Sequence, residues 1–234
     1  MKAVILAAGE GQRLRPLTLT IPKCLVMIGD CPLLQHWLDK CAAAGVSEVL
    51  INIHYLADKV KSFLDTVRSE YDFTINCVYE ETLTGTGGFI RNNMDFIADE
   101  KFFFFAHGDN FSDIDLSKFK AFHEANDTEL SVALFETNKP RQCGIAEELD
   151  RDNKIIKFVE KPDKPLSNLA SGAMFMMSPK VVEAIPANAV VDFSKEVLPL
   201  YQGRMYGFKI DGFNIDVGTP DNYKLANKLA GAAI

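Results

Sequence analysis

The stretch Val4-Ile5-Leu6-Ala7-Ala8 is an unbroken apolar run that ends in glycine at Gly9 and again at Gly11. A strand wetted on one face alternates polar and apolar residues, whereas a strand covered on both faces does not. The run therefore predicts an interior strand of a parallel sheet, Lys2 to Ala8, with helices packed on both sides. Val49 to Ile53, Phe73 to Tyr79 and Phe102 to Ala106 read as further strands. Between them apolar residues recur at helical spacing. Leu33, Leu34, Trp37, Leu38 and Cys41 form one such face, ended by Gly45, and Val60, Phe63, Leu64 and Val67 form a second. A third helix is predicted over Gly87 to Ile97. Strands alternating with helices imply βαβ crossovers and a three-layer, Rossmann-like α/β fold around a mixed, mainly parallel sheet. Ligands of such sheets sit beyond the carboxyl ends of the strands.

After about residue 128 the pattern changes. Strand-like stretches come close together at Leu130 to Phe135, Gly144 to Leu149, Ile155 to Val159 and Ala173 to Met177, with a hairpin turn at Asp150 to Asn153. This half is predicted to extend the sheet and add a small antiparallel flap. Lys195 to Tyr201 and Tyr223 to Ala230 read as helical. Without an internal repeat or a low-complexity linker, residues 1–234 are read as one domain with two lobes, 1–127 and 128–234.

Bulk properties narrow the function classes. At 234 residues the chain buries enough surface to need no disulfides. A net charge of −7 argues against a nucleic-acid partner, which would demand a basic face. Five cysteines, an odd number with no C-x-x-C pair, read as reduced thiols of a cytoplasmic protein. The opening residues form a strand rather than an export signal, and no apolar run approaches the ~20 residues needed to span a bilayer. Self-association is left open.

The chemistry concentrates in the string Leu6-Ala7-Ala8-Gly9-Glu10-Gly11-Gln12-Arg13-Leu14-Arg15-Pro16-Leu17-Thr18, followed by Pro22-Lys23. Glycines let the backbone come close to a phosphate, and arginine and lysine supply compensating charge. The dinucleotide fingerprint and the P-loop are both excluded, because each needs glycine where Leu14 stands. Two carboxylates follow apolar runs: Asp109 in His107-Gly108-Asp109-Asn110, and Asp216 in Asn214-Ile215-Asp216-Val217-Gly218-Thr219-Pro220. Two hard oxygen ligands completed by water and phosphate suit Mg²⁺. Asp115 is predicted to cap the next helix. His36, His54, His107 and His123 lack ligand spacing and read as structural.

The glycine string with Pro22-Lys23 resembles the signature of the sugar-1-phosphate nucleotidylyltransferases, and later motifs follow in that family's order. The resemblance extends over nearly the whole chain and leans toward short mannose- or heptose-1-phosphate guanylyltransferases. It implies transfer of a nucleoside monophosphate from an NTP to a hexose or heptose 1-phosphate, with Mg²⁺ and release of pyrophosphate. Residues 1–127 would then bind nucleotide and 128–234 sugar phosphate. By resemblance Arg13 and Lys23 are catalytic, and Asp109 and Asp216 hold the metal. Leu6, Ala8, Gly9, Gly11, Glu80, Gly85, Thr86 and Asp109 contact nucleotide. Asn110, Gly144, Glu160, Lys161 and Gly172 contact the sugar phosphate. Glu80, ahead of Leu83-Thr84-Gly85-Thr86-Gly87-Gly88, could accept from guanine N1–H and its 2-amino group, which gives the lean toward GTP. Where relatives often have Asn-Ala-Gly, this chain has Ala170-Ser171-Gly172, so the sugar is not fixed. The chain ends soon after Asp216, so a catalytic domain alone is expected. Uridylyl or thymidylyl transfer, a non-sugar phosphorylated acceptor, and a non-enzymatic nucleotide-sugar sensor are the alternatives. The joint presence of Arg13, Lys23, Asp109 and Asp216 weighs against the sensor.

Overall fold

A computed structural model describes residues 1–232 of the chain. The strands are β1 (Lys2–Leu6), β2 (Met27–Ile28), β3 (Cys31–Pro32), β4 (Glu48–Ile53), β5 (Thr74–Tyr79), β6 (Phe103–His107), β7 (Asn110–Ser112), β8 (Leu130–Glu136), β9 (Gly144–Leu149), β10 (Ile155–Glu160), β11 (Leu169–Met177), β12 (Tyr206–Lys209) and β13 (Asn214–Asp216). The α-helices are α1 (Leu33–Ala43), α2 (Ala57–Val67), α3 (Gly85–Asn92), α4 (Met94–Ile97), α5 (Leu116–Asn126), α6 (Pro179–Glu183) and α7 (Pro220–Ala232).

The main sheet runs β10-β9-β11-β6-β1-β4-β5, with β8 also paired to β11 and β12 to β8. The strands of the first half, β6, β1, β4 and β5, are mutually parallel. Antiparallel pairing enters with β11, and the β9–β10 hairpin closes around a turn at Asp150–Asn153. The layered α/β fold and the antiparallel extension expected from the sequence are both present.

Period-two alternation assigns the two faces of the buried strands. Ile5, Ile51 and Phe104 pack under α1, α2 and α5 with Trp37, Leu38, Val60 and Phe119. Val4, Leu50 and Phe105 face the opposite layer with Phe89, Ile90, Phe175 and Phe193. Each large side chain removed from water contributes about 1.5–3 kcal/mol before entropy is counted. A third cluster, including Leu14, Val26, Ile28, Leu33, Phe111, Ile215 and Val217, fastens the loop after β1 to the antiparallel β7–β13 pair. That cluster brings residues some 200 positions apart to one end of the sheet.

Two expectations shift in detail. The helix predicted over Gly87 to Ile97 is two helices, interrupted at Asn93, whose side chain donates to the Phe89 carbonyl. The helix predicted over Lys195 to Tyr201 is a π turn, Phe193–Val197, running into a 3₁₀ turn, Leu198–Tyr201. Pro199 has no N–H to continue the α-helical ladder. Asp115 caps α5 as expected, accepting from the Lys118 N–H at 3.0 Å. Among the described residues no helix is long and apolar enough to cross a membrane.

Candidate active site

The carboxyl ends of β1, β4 and β6 open into a cavity of about 200 Å³, lined by Leu6, Ala7, Ala8, Gly9, Lys23, Asn52, Glu80, Leu83, Gly85, Thr86, His107 and Asp109 among others. A second cavity of about 280 Å³ lies against it. Its walls include Asn110, Cys143, Gly144, Glu160, Lys161, Ser171, Gly172, Asp192, Lys195, Asn214 and Asp216. His107 and Asp109 line both and mark where the two meet.

At that junction Lys23 is the centre of charge. Its Nζ donates to Asp109 Oδ2 at 2.6 Å and to Asp216 Oδ1 at 2.9 Å. Burial opposes the ammonium, but the two carboxylates outweigh it and raise its pKa. Burial likewise opposes ionisation of Asp109, and Lys23 overcomes it, so Asp109 is held below the usual carboxylate range. Asp216 Oδ2 also receives Arg13 Nη2 at 3.3 Å. The Arg13 side chain is 68% exposed, so that pair adds at most about 1 kcal/mol to stability. The β7–β13 ladder sets Asp216 opposite Asn110, and the Val217 N–H donates to the Asp109 carbonyl. Neighbouring backbones thus fix the two carboxylates.

The predicted site residues divide between these walls. Leu6, Ala8, Gly9, Glu80, Gly85, Thr86 and Asp109 line the first cavity; Asp109, Asn110, Gly144, Glu160, Lys161, Gly172 and Asp216 line the second. Gly11 and Arg13 line neither. Gly11 has φ +63, and a Cβ there would lie 3.0 Å from Lys23 Cβ and 2.9 Å from Thr18 Cγ2. Its place is beneath the lysine stem. Gly144 lets Glu160 lie against the backbone, since a Cβ would come within 2.5 Å of Glu160 Oε2. Burial raises the Glu160 pKa. Lys161 is half exposed, with Nζ 3.9 Å from Glu160 Oε1.

Glu80 is buried and already occupied. One carboxylate oxygen accepts from Asn52 Nδ2 at 2.7 Å; the other accepts from the Thr84 N–H at 3.2 Å and its hydroxyl at 2.9 Å. Asn52 Oδ1 in turn accepts from the Ala7 N–H at 2.6 Å. The chain Ala7–Asn52–Glu80–Thr84 ties the glycine loop to the start of α3. The glycines of α3 also accommodate the segment 189–193 rather than leaving every N–H free. The Gly87 N–H donates to the Val191 carbonyl at 2.8 Å, and the Phe193 N–H donates to Thr86 Oγ1 at 2.8 Å. Any Cβ at Gly85 would strike the Val191 carbonyl at 2.5 Å.

Sequence reasoning missed Asn52, His107 and Asn214. A lone Asn inside the apolar strand Val49 to Ile53 was a legible signal. His107, read as structural, lines both cavities, and burial lowers its pKa. The two ammonium–carboxylate contacts at Lys23 bear on a metal. One cation already draws an oxygen from each of Asp109 and Asp216, so these two residues fit a divalent ion as donors. Among the described residues no cluster of three or more His, Cys, Asp or Glu side chains offers a complete protein-only metal cage. Two carboxylates with water and phosphate are the donor set Mg²⁺ takes.

Fold and site together define an α/β protein of the Rossmann-like type, with paired cavities at the strand ends. The chain belongs to the nucleotidyl transferase family, whose model matches residues 2–231. It is 32% identical over 227 residues to the mannose-1-phosphate guanyltransferase of Schizosaccharomyces pombe, covering 95% of this chain and 62% of that protein. The chain therefore spans about 62% of the length of such curated relatives. A Bacillus anthracis protein crystallised with sucrose shares the fold, with a TM-score of 0.88, 24% identity, and coverage of 98% of this chain and 95% of that one. HddC from Yersinia pseudotuberculosis, complexed with GMP-PN, aligns with a TM-score of 0.78 at 26% identity, over 97% of this chain and 98% of that one.

Proposed function

We propose that this protein transfers a nucleoside monophosphate from an NTP, GTP by preference, to a sugar 1-phosphate, with Mg²⁺ as cofactor. The observation that carries the reading is the cluster of Lys23, Asp109 and Asp216 where two cavities meet. Joining two phosphorylated substrates needs just such a charged junction and no protein nucleophile. A phosphate oxygen of the acceptor attacks the α-phosphorus in line, the bond to the β-phosphate breaks, and pyrophosphate leaves. Lys23 neutralises charge between the two phosphates, and Arg13 reaches in from the solvent side toward the departing pyrophosphate. Asp109 and Asp216 would hold the divalent ion, whose charge offsets that gathering on the leaving group. Glu160 accepts from sugar hydroxyls, and Lys161 pairs with the sugar phosphate.

Guanine is favoured by the guanyltransferase relatives at about 30% identity and by HddC, which was crystallised with GMP-PN. A carboxylate has about four lone-pair sites. Glu80 spends three on Asn52 and Thr84 as bonded, two of them through one oxygen. The single direction left, on the oxygen facing Asn52, can accept from one base donor and not from N1–H and the 2-amino group together as expected from the sequence, so the preference for guanine rests on the relatives. A pyrophosphate-release assay over GTP, UTP, dTTP and CTP against a panel of hexose and heptose 1-phosphates tests the reading. The expected result is release with GTP and one sugar phosphate, abolished by chelation. Release only with a non-sugar acceptor, or with none, refutes it; a preference for UTP or dTTP refutes the base alone.

A further inference from the structure

Among the described residues two buried side-chain polar atoms have no hydrogen-bond partner, His107 Nε2 and Asn214 Oδ1. Both residues line the second cavity, the one bounded by Glu160 and Lys161. Buried polar atoms are nearly always paired, so two orphans on one cavity wall point to a group that comes from outside the chain. Asn214 is the sharper case. It is 8% exposed and sits at the start of β13, two residues before Asp216. Its amide is held by one long bond, Nδ2 donating to the Gly172 carbonyl at 3.4 Å. Gly172 crowds that nitrogen, since a Cβ there would lie 3.3 Å from it. The amide nitrogen therefore faces β11, which leaves the oxygen as the free acceptor.

We propose that Asn214 is a specificity-determining residue for the acceptor: its Oδ1 accepts a hydrogen bond from one ring hydroxyl of the sugar in the second cavity, which Glu160 also lines. The assignment rests on reading this cavity as the sugar 1-phosphate site. Of the side-chain amides lining this cavity, Asn110 already donates to the His107 carbonyl; the oxygen of Asn214 is the one left without a partner. An amide discriminates differently from a carboxylate. It adds no charge beside Asp109 and Asp216, and it rewards a hydroxyl donor at one position of the ring.

The test is steady-state kinetics on the full chain with GTP, the accepted sugar 1-phosphate and its set of monodeoxy analogues. In Asn214→Ala the kcat/KM for the sugar phosphate should fall about 10- to 100-fold, mainly through KM, because one hydrogen bond to substrate is lost. The KM for GTP should stay within about twofold. One deoxy analogue that the wild-type protein disfavours should be handled by the variant as well as the parent sugar. Asn214→Ser, polar but too short to reach, should behave alike and serves if the alanine variant does not fold. A variant with wild-type KM for the sugar phosphate overturns the assignment. So does one that keeps the full wild-type pattern across the deoxy analogues, or one whose only change is a lower melting temperature, as loss of an internal water would give. If wild-type protein releases no pyrophosphate with any sugar 1-phosphate tested, the functional reading fails and this assignment with it; release by wild type with an unaltered variant overturns the assignment alone.

Discussion

Replacing Lys23 by methionine keeps the stem and removes the ammonium. The lost contacts are donations to Asp109 at 2.6 Å and Asp216 at 2.9 Å. Hydrogen bonds to charged groups are worth about 1.5–3 kcal/mol each, so the gross loss is about 3–6 kcal/mol. Two effects reduce it. Burying the ammonium, 7% exposed, itself costs several kcal/mol that the variant no longer bears. The carboxylates are 38% and 47% exposed, so water screens them. A net destabilisation of about 1–2 kcal/mol remains, a fall of roughly 2–8 °C in melting temperature for a chain of this size. The same geometry predicts an opposite response to metal. On the proposed function, a divalent ion in the wild-type protein would compete with the ammonium for the same two oxygens. In the variant those oxygens have no cation, so Mg²⁺ should raise the melting temperature more steeply than in wild type, following ligand linkage. Turnover should fall by at least about 100-fold at every Mg²⁺ concentration, since the ion cannot replace a cation between the phosphates. Thermal melts across a Mg²⁺ titration, with pyrophosphate release measured in parallel, check all three. If Mg²⁺ stabilises the variant no more than the wild type, the lysine and the metal do not share those oxygens and the reasoning is wrong.

Asp216→Asn should retain the fold, because its carbonyl and not its carboxylate serves Asn222, at 2.7 Å; circular dichroism should be unchanged while pyrophosphate release drops below about 1% of wild type. Gly144→Ala forces a methyl to within 2.5 Å of Glu160 Oε2 and Phe158 Cζ, so the KM for sugar phosphate should rise about tenfold or more with GTP KM little changed, and equal damage to both substrates would argue against two separate cavities. His123, bonded to Ser131 Oγ at 2.9 Å, has its pKa pushed down to about 4 by burial. A histidine depressed in the folded state takes up its proton more readily when unfolded, so stability is full above about pH 6.5 and is lost as pH falls toward 4, by at most about 3 kcal/mol. Urea midpoints against pH should show that slope, and His123→Leu should flatten it.

The buried parallel strands were legible because each is a continuous apolar run, as at Val4–Ala8 and Phe102–Ala106; such runs have few alternative conformations that bury them. The charged residues of the candidate site were legible as types: Asp109 and Asp216 lie near glycines at strand ends, Arg13 follows the glycine loop, and Lys23 follows Pro22. Their arrangement was not. Local sequence carries no sign that Lys23 bridges the two carboxylates, because that depends on β7 pairing with β13 across about a hundred residues. The Glu80 environment was hidden for the same reason: its partner Asn52 belongs to β4. His107 looked structural from spacing alone, and only the meeting of two cavities at its ring gives it a place in the site. The π turn at Phe193–Val197 escaped a periodicity reading because its apolar residues suit an α-helix as well.

The segment from Val191 to Lys195 belongs to both halves of the site. Val191 and Phe193 are bonded to Gly87 and Thr86 of α3, while Asp192, Ser194 and Lys195 line the second cavity. The four residues from Val191 to Ser194 alternate between the two, so on the proposed function a substrate that repositions Val191 or Phe193 would displace Asp192 and Ser194. Occupancy of either cavity would then be felt in the other, and thermodynamic reciprocity would require the two effects to be equal in size. The affinity for one substrate measured alone is then a property of a half-set machine, different from its affinity when the partner substrate is already seated.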